Sequence, residues 1–139
     1  MTAICPRCSA VRAAGHWVHD DDRLNEAKRD EGSDSVLCPG CDRLAKHRVD
    51  GVVTLRSRML TEHREEAMNL IHNVADRASG NIAARIVDIE DHGAEIQVTT
   101  TDQHLAERIG KEFERAFSGE LEIQWPKGEE FVRVLWERA

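Results

Sequence analysis

The sequence contains no tyrosine, and only 4% of its 139 residues are aromatic. So few rings exclude a platform on which single-stranded bases stack one after another. No apolar run approaches the roughly 18 residues that a membrane-spanning helix needs. The opening stretch, Met1 to Ala13, has no hydrophobic signal core and runs straight into Cys5-Pro6-Arg7-Cys8, so a cytoplasmic location is expected. Positive charge is also short. Nineteen Lys and Arg face 26 Asp and Glu, a formal net charge of −7, which excludes general nucleic-acid binding unless the basic residues gather on one face. Apolar residues make up 40% and charged residues 32%. A core is affordable in one ordinary domain, or in a small module followed by a compact one.

What the sequence does have is four cysteines in two matched pairs, Cys5-Pro6-Arg7-Cys8 and Cys38-Pro39-Gly40-Cys41. In a reducing compartment paired cysteines are metal ligands before they are disulfides. A Cys-x-x-Cys turn offers two sulfurs from one tight loop, and two such turns fill a tetrahedral Zn²⁺ shell with no open position, which marks a structural site. Proline after the first cysteine presets each turn, and Gly40 is expected to supply a positive φ. Four thiolates and one Zn²⁺ sum to −2, taking the chain from −7 to about −9. The 29 residues between Cys8 and Cys38 exceed the commonest spacing of about 15–20. An acidic insertion over about 19–35 accounts for the excess and is expected to be an exposed loop or a short solvated helix. His16 and His19 lie between the pairs and are alternative ligands, although four cysteines already fill the shell. Trp17 is expected to pack beside the knuckles, since so small a module needs an anchor.

From Gly51 the pattern changes. Val52 to Leu55 is a short β-branched run and predicts a strand. Leu60, Ala67, Leu70, Ile71, Val74 and Ala78 mark one face of a helix ending at Ser79-Gly80-Asn81. Ile82 to Ile89 and Ala94 to Thr99 predict two strands about an Asp91-His92-Gly93 turn. Thr100 and Gln103 have capping-box spacing ahead of a helix to Phe117, stopped at Gly119. Alternating Leu121, Ile123 and Trp125, then Phe131 to Trp136, predict the last two strands. The expected fold is therefore α+β. A four-cysteine zinc module over residues 1–50 precedes a ferredoxin-like domain over residues 51–139, with order β-α-β-β-α-β plus one strand and both helices on one face of an antiparallel sheet.

Between Asp42 and Arg64, six cationic side chains (Arg43, Lys46, Arg48, Arg56, Arg58 and Arg64) face three acidic ones, so this strip is +3 and the rest of the chain −10. Arginine and lysine beside a rigid zinc knuckle are candidate phosphate contacts. The acidic remainder suits a basic protein partner instead. No phosphate-binding Gly-rich loop, nucleophile elbow or His-Glu-x-x-His helix occurs. His63/Glu66 and His104/Glu107 share helical turns, with nothing convergent beside them. The expectation is no enzyme and no small-molecule substrate.

The two knuckles, Gly15-His16-Trp17, Gly51-Val52-Val53-Thr54-Leu55 and His63-Arg64-Glu65-Glu66 lead to the more specific stretch Val98-Thr99-Thr100-Thr101-Asp102-Gln103-His104-Leu105-Ala106-Glu107-Arg108-Ile109-Gly110. With Gly119-Glu120-Leu121 and Val132 to Trp136, the chain resembles the short bacterial relatives of the large-ribosomal-subunit export adaptor of archaea and eukaryotes, the nonsense-mediated-decay protein three. The chain departs from their pattern at Val49 and Arg58. The resemblance implies a zinc-stabilised adaptor that docks on the large ribosomal subunit, with Cys5, Cys8, Cys38 and Cys41 as ligands and ribosomal RNA or the ribosome as partner.

Overall fold

A computed structural model describes residues 2–78 and 81–139. Two sheets and five helices form a mixed α+β chain among these residues. The first sheet is small. Its strands β1 (Ala3–Ile4), β2 (Val11–Ala13), β3 (His16–Val18) and β4 (Asp34–Ser35) lie in the order β3-β2-β1-β4, with β4 parallel to β1. Helix α1 (Asp21–Arg29) occupies the acidic insertion. The Asp20 carboxylate caps it, accepting from the N–H groups of Asp22 and Arg23, and it buries only Ala27. Of the two expected alternatives, an exposed loop or a short solvated helix, it is the helix, and β4 ties the end of the insertion back to β1.

The second sheet holds β5 (Gly51–Ser57), β6 (Ile86–Asp91), β7 (Glu95–Thr100), β8 (Glu120–Gln124) and β9 (Val132–Arg138), in the order β6-β7-β5-β9-β8. Helices α4 (Arg64–Arg77) and α5 (Gln103–Phe117) both pack on one face. The element order is the one expected, with β5 and β6 parallel on either side of β7 as in a split β-α-β unit. The appended strand is not added at the edge. It inserts between β5 and β8 and runs parallel to β5, so the sheet is mixed rather than antiparallel. Burial explains the choice. Val132, Val134 and Trp136 of β9 are buried and Leu135 half-buried, whereas β8 offers only Leu121 and Ile123 among Glu and Gln. The more apolar strand takes the interior place.

Three boundaries depart from expectation. The helix expected from Leu60 breaks at His63 (φ −112°, ψ 32°) into α3 (Met59–Glu62) and α4. Arg64 at the break is held by the Asp91 carboxylate and the Gly93 carbonyl. Its expected stop at Ser79-Gly80 lies outside the described residues. The cap of α5 is Asp102, whose carboxylate accepts from the Leu105 N–H at 3.0 Å, while Thr100 turns its hydroxyl onto the Asp102 carbonyl. Residues 82–85 do not join β6. They form a turn that leaves the sheet and closes over the cysteines.

The core of the larger domain lies between sheet and helices. Trp136, Phe113, Leu55, Leu60, Ile71 and Ile109 are fully buried in it, with Phe113 against Trp136 at 5.3 Å and Phe117 at 5.4 Å between ring centroids. The opposite face of the sheet is open. It carries Asp88, Glu90, Glu95, Glu120, Glu122 and Glu137 against only Arg56 and Arg133, six negative charges to two positive.

Candidate metal centre

Cys5 follows β1, and Cys8 sits on the turn into β2. The turn closes by hydrogen bonds from the Ser9 N–H to the Cys5 carbonyl and from the Cys5 N–H to the Ala10 carbonyl. Ser9 takes a positive φ of 64° there. Cys38 is the N-cap of α2 (Pro39–Ala45), with Pro39 at its first turn, and its sulfur accepts from the Cys41 N–H. A proline at that position suits the missing donor of a helix start. The second knuckle is therefore the first turn of a helix. Gly40 does not need a positive φ, contrary to expectation, because it is helical. Its requirement is space: a Cβ there would run into the Ile82 carbonyl oxygen and the Arg85 guanidinium.

The four sulfurs lie within 4.8 Å of one another, with Cys8 Sγ and Cys38 Sγ 3.6 Å apart. A tetrahedron with metal–sulfur bonds of about 2.3 Å has sulfurs roughly 3.8 Å apart, so the donor set fits a four-coordinate soft or borderline metal. Cys5, Cys38 and Cys41 are buried and Cys8 is half-buried. Ala10 lies buried among them, and Trp17, Leu37 and Ile82 pack around the cluster, so Trp17 is beside the knuckles as expected. Three of the crowded sulfurs, those of Cys5, Cys38 and Cys41, are shifted unequally. Burial pushes the Cys41 thiol up to about 12, helped by hydrogen bonds among the cysteines. Burial likewise raises Cys38. Burial also acts upward on Cys5, but backbone hydrogen bonds at Cys38, Cys8 and Arg7 outweigh it and bring this thiol down to about 6.

Two further side chains reach the sulfurs. His19 Nε2 lies 3.2 Å from Cys8 Sγ, and burial, then the Arg85 charge, lowers its pKa. It touches a ligand rather than replacing one, while His16 is exposed. The second is Arg85, which comes from the larger domain. Its guanidinium donates to Cys8 Sγ at 3.7 Å, Cys38 Sγ at 3.6 Å and Cys41 Sγ at 3.9 Å, while its Nε–H donates to the Ile82 carbonyl at 3.1 Å. No carboxylate pairs with it among the described residues. Sequence reasoning missed it, because Arg85 stands inside a run read as one continuous strand over 82–89 and so passes for a solvent-facing residue.

Thr101 holds the turn that carries Arg85. Its hydroxyl accepts the Arg85 N–H at 2.8 Å and donates to the Ala83 carbonyl at 2.6 Å. Its own N–H donates to the Arg85 carbonyl at 2.9 Å, and its carbonyl accepts from Arg43 Nη1 at 2.9 Å. One fully buried threonine of the Val98–Gly110 stretch thus links α2, the 82–85 turn and the start of α5.

The six cationic residues of the Asp42–Arg64 strip do not form one patch. Arg43, Lys46 and Arg48 lie on and just after α2, and Arg56, Arg58 and Arg64 lie around the far end of β5. The seven residues of β5 span roughly 20 Å between the groups. Most are engaged: Arg43 with the Thr101 carbonyl, Lys46 with Asp42, Arg48 with Asp50 and Glu130, Arg56 with Glu95, and Arg64 with Asp91. Arg58 is exposed, with no ion pair among the described residues. Of the histidine–carboxylate pairs, His63 reaches Glu66 at 3.2 Å on an exposed surface, whereas Glu107 pairs with Lys111 at 2.6 Å, and no carboxylate pairs with His104 among the described residues. His104 and Arg108 line an open cleft of about 350 Å³ with Arg77 and Asn81.

No helix among the described residues is long and apolar enough to cross a membrane. No protein-family model, no curated protein and no solved structure matches the chain.

Proposed function

We propose that the chain is a zinc-stabilised, non-catalytic adaptor of the cytoplasm that associates with the ribosome or ribosomal RNA, the large subunit favoured. Zn²⁺ is the metal this donor set suits, being four thiolates at tetrahedral separation with no open position. The observation that carries the adaptor reading is the second knuckle. Cys38 and Cys41 form the first turn of α2, and Arg43, Lys46 and Arg48 follow within the next seven residues. A metal that fixes this turn also fixes a short basic segment, the arrangement phosphate contacts require. The resemblance of the Val98–Gly110 stretch to the ribosomal adaptor family points the same way.

The test is co-sedimentation of tagged protein with ribosomal particles at low and moderate salt. Migration with the large subunit is expected, weakened in a Lys46→Glu, Arg48→Glu double variant that keeps its zinc. Arg43 is left intact, because its bond to Thr101 ties the two parts of the chain together. Protein that stays at the top of the gradient at both salts overturns the reading.

The open acidic sheet face favours a second reading, a protein–protein or stress-response regulatory module that holds a basic protein without touching RNA. Under that reading, salt-sensitive capture of partners survives nuclease digestion; if every partner is lost to nuclease, it fails.

A further inference from the structure

Arg85 poses a problem that the metal site alone does not answer. It is a partly buried cation in a protein of net charge −7, yet no carboxylate meets it among the described residues. Its guanidinium is spent on three sulfurs and its Nε on a backbone carbonyl of its own turn. The sulfurs belong to the four-cysteine module, whereas Arg85 belongs to the larger domain. A buried guanidinium needs a counter-charge. A metal-bound tetrathiolate supplies one: four thiolates around a divalent ion leave −2, which a single arginine halves, and hydrogen bonds to charged sulfur are the strong kind.

The surroundings suit a joint made at this point. Gly40 permits α2 to approach the turn where any larger residue would collide with Ile82 and Arg85. Thr101 fixes the turn by three hydrogen bonds, and its carbonyl receives Arg43 from the same knuckle helix.

We infer that Arg85 is a latch through which metal occupancy decides whether the four-cysteine module is docked on the α+β domain. With the metal bound, the thiolate charge holds the guanidinium and the module sits in one orientation. With the metal removed, the cation loses its partner, the 82–85 turn loosens and the docking is lost. Arg85 is a positioning residue for the metal centre, and Thr101 positions Arg85.

The inference rests on the metal reading, so the experiment separates the two. The full chain is loaded with Zn²⁺, and its stoichiometry is measured. Failure to bind one ion per chain would count against the metal reading itself. Zinc transfer to a chromogenic chelator is then timed for the wild type, Arg85→Gln and Arg85→Lys. Release about tenfold faster in Arg85→Gln is expected, from the loss of a charge-assisted hydrogen bond. Arg85→Lys, which keeps the charge, should stay near the wild type. Arg85→Gln releasing zinc at the wild-type rate would overturn the latch. Should Arg85→Gln fail to fold, hydrogen exchange on the wild type decides. Removing zinc is expected to expose the Ala84 and Thr101 amides, which now bond to Asn81 and Arg85, while Val98 and Val134 in the sheet stay protected. Unchanged protection at Ala84 and Thr101 overturns the inference.

Discussion

The two halves of this chain are held together by different physics. The larger domain buries Trp136, Phe113, Leu55, Leu60, Ile71 and Ile109 in one cluster, enough apolar surface to order two helices on a five-stranded sheet. The module's cluster is Cys5, Cys38, Cys41 and Ala10, with Trp17, Leu37 and Ile82 around it. It has three strands of two or three residues apiece besides the equally short β4. Besides that cluster, only Ala3, Val11 and Ala27 bury apolar side chains there among the described residues, a small core to set against the entropy of ordering some fifty residues. Four sulfurs close enough to share one metal ion are the further source of cohesion this half offers. One half is held by burial, and the other is expected to depend on coordination as well.

The sharpest way to break that comparison is to remove the metal. Binding energy of a structural Zn²⁺ site is about 10–16 kcal/mol and is folding energy for the unit it closes. A chelator is expected to abolish amide protection in β1–β3 and leave β5, β7 and β9 protected; joint melting of both halves would refute the contrast. The effect is pH-dependent with a fixed sign. Protons compete with metal for sulfur, and Cys41 is held up at about 12 and Cys38 is raised, so acidification weakens metal binding and alkali strengthens it, as titration with a competing chelator will read.

The converse cut is Phe113→Ala, which opens a cavity between Phe117 and Trp136. A loss of about 3–5 kcal/mol in urea unfolding of the larger domain is expected, with zinc stoichiometry unchanged. Gly110→Ala sharpens the point. Alanine ordinarily favours a helix interior over glycine, but here its methyl would collide with Val134 and Leu121. Destabilisation of about 1–3 kcal/mol is expected instead of a gain, and a raised melting temperature would show that the helix is not pressed on β9. The smallest effect is expected in the module. Ser9→Gly relieves a left-handed backbone at φ 64°, worth about 1 kcal/mol, and should slow zinc release slightly.

How far the sequence could be read follows the same division. Strands such as β7 were legible, since Ile96 and Val98 alternate with Glu95 and Gln97 and a half-buried strand leaves no other pattern. The gathering of the four cysteines was legible because paired sulfurs at that spacing have few other uses. What escaped were features set by contacts between elements distant in sequence, several of them between the halves. Residues 82–85 run straight into the β-branched Ile86-Val87 and so read as the start of that strand, yet the Thr101 hydroxyl and the approach of α2 draw them out of the sheet. Gly40 looked like a residue wanted for its backbone freedom, but it is wanted for its missing side chain. Thr100 looked like a cap, but Asp102 two residues on has the stronger acceptor. The basic strip is continuous in sequence, yet β5 carries its two ends apart.

The position of β9 has a consequence for the order of events during synthesis. It is the last strand of its sheet along the chain, yet it lies between β5 and β8. The cysteine module has all four of its cysteines once residue 41 has emerged and is free to close early. The larger sheet cannot. Until residues 132–138 are free, β5 has one unpaired edge and β8 has no neighbour, and the parallel β5–β9 pairing closes a loop of some 75 residues. The half nearer the start of the chain is thus free to fold during translation, whereas the half that carries the latch waits for the final strand.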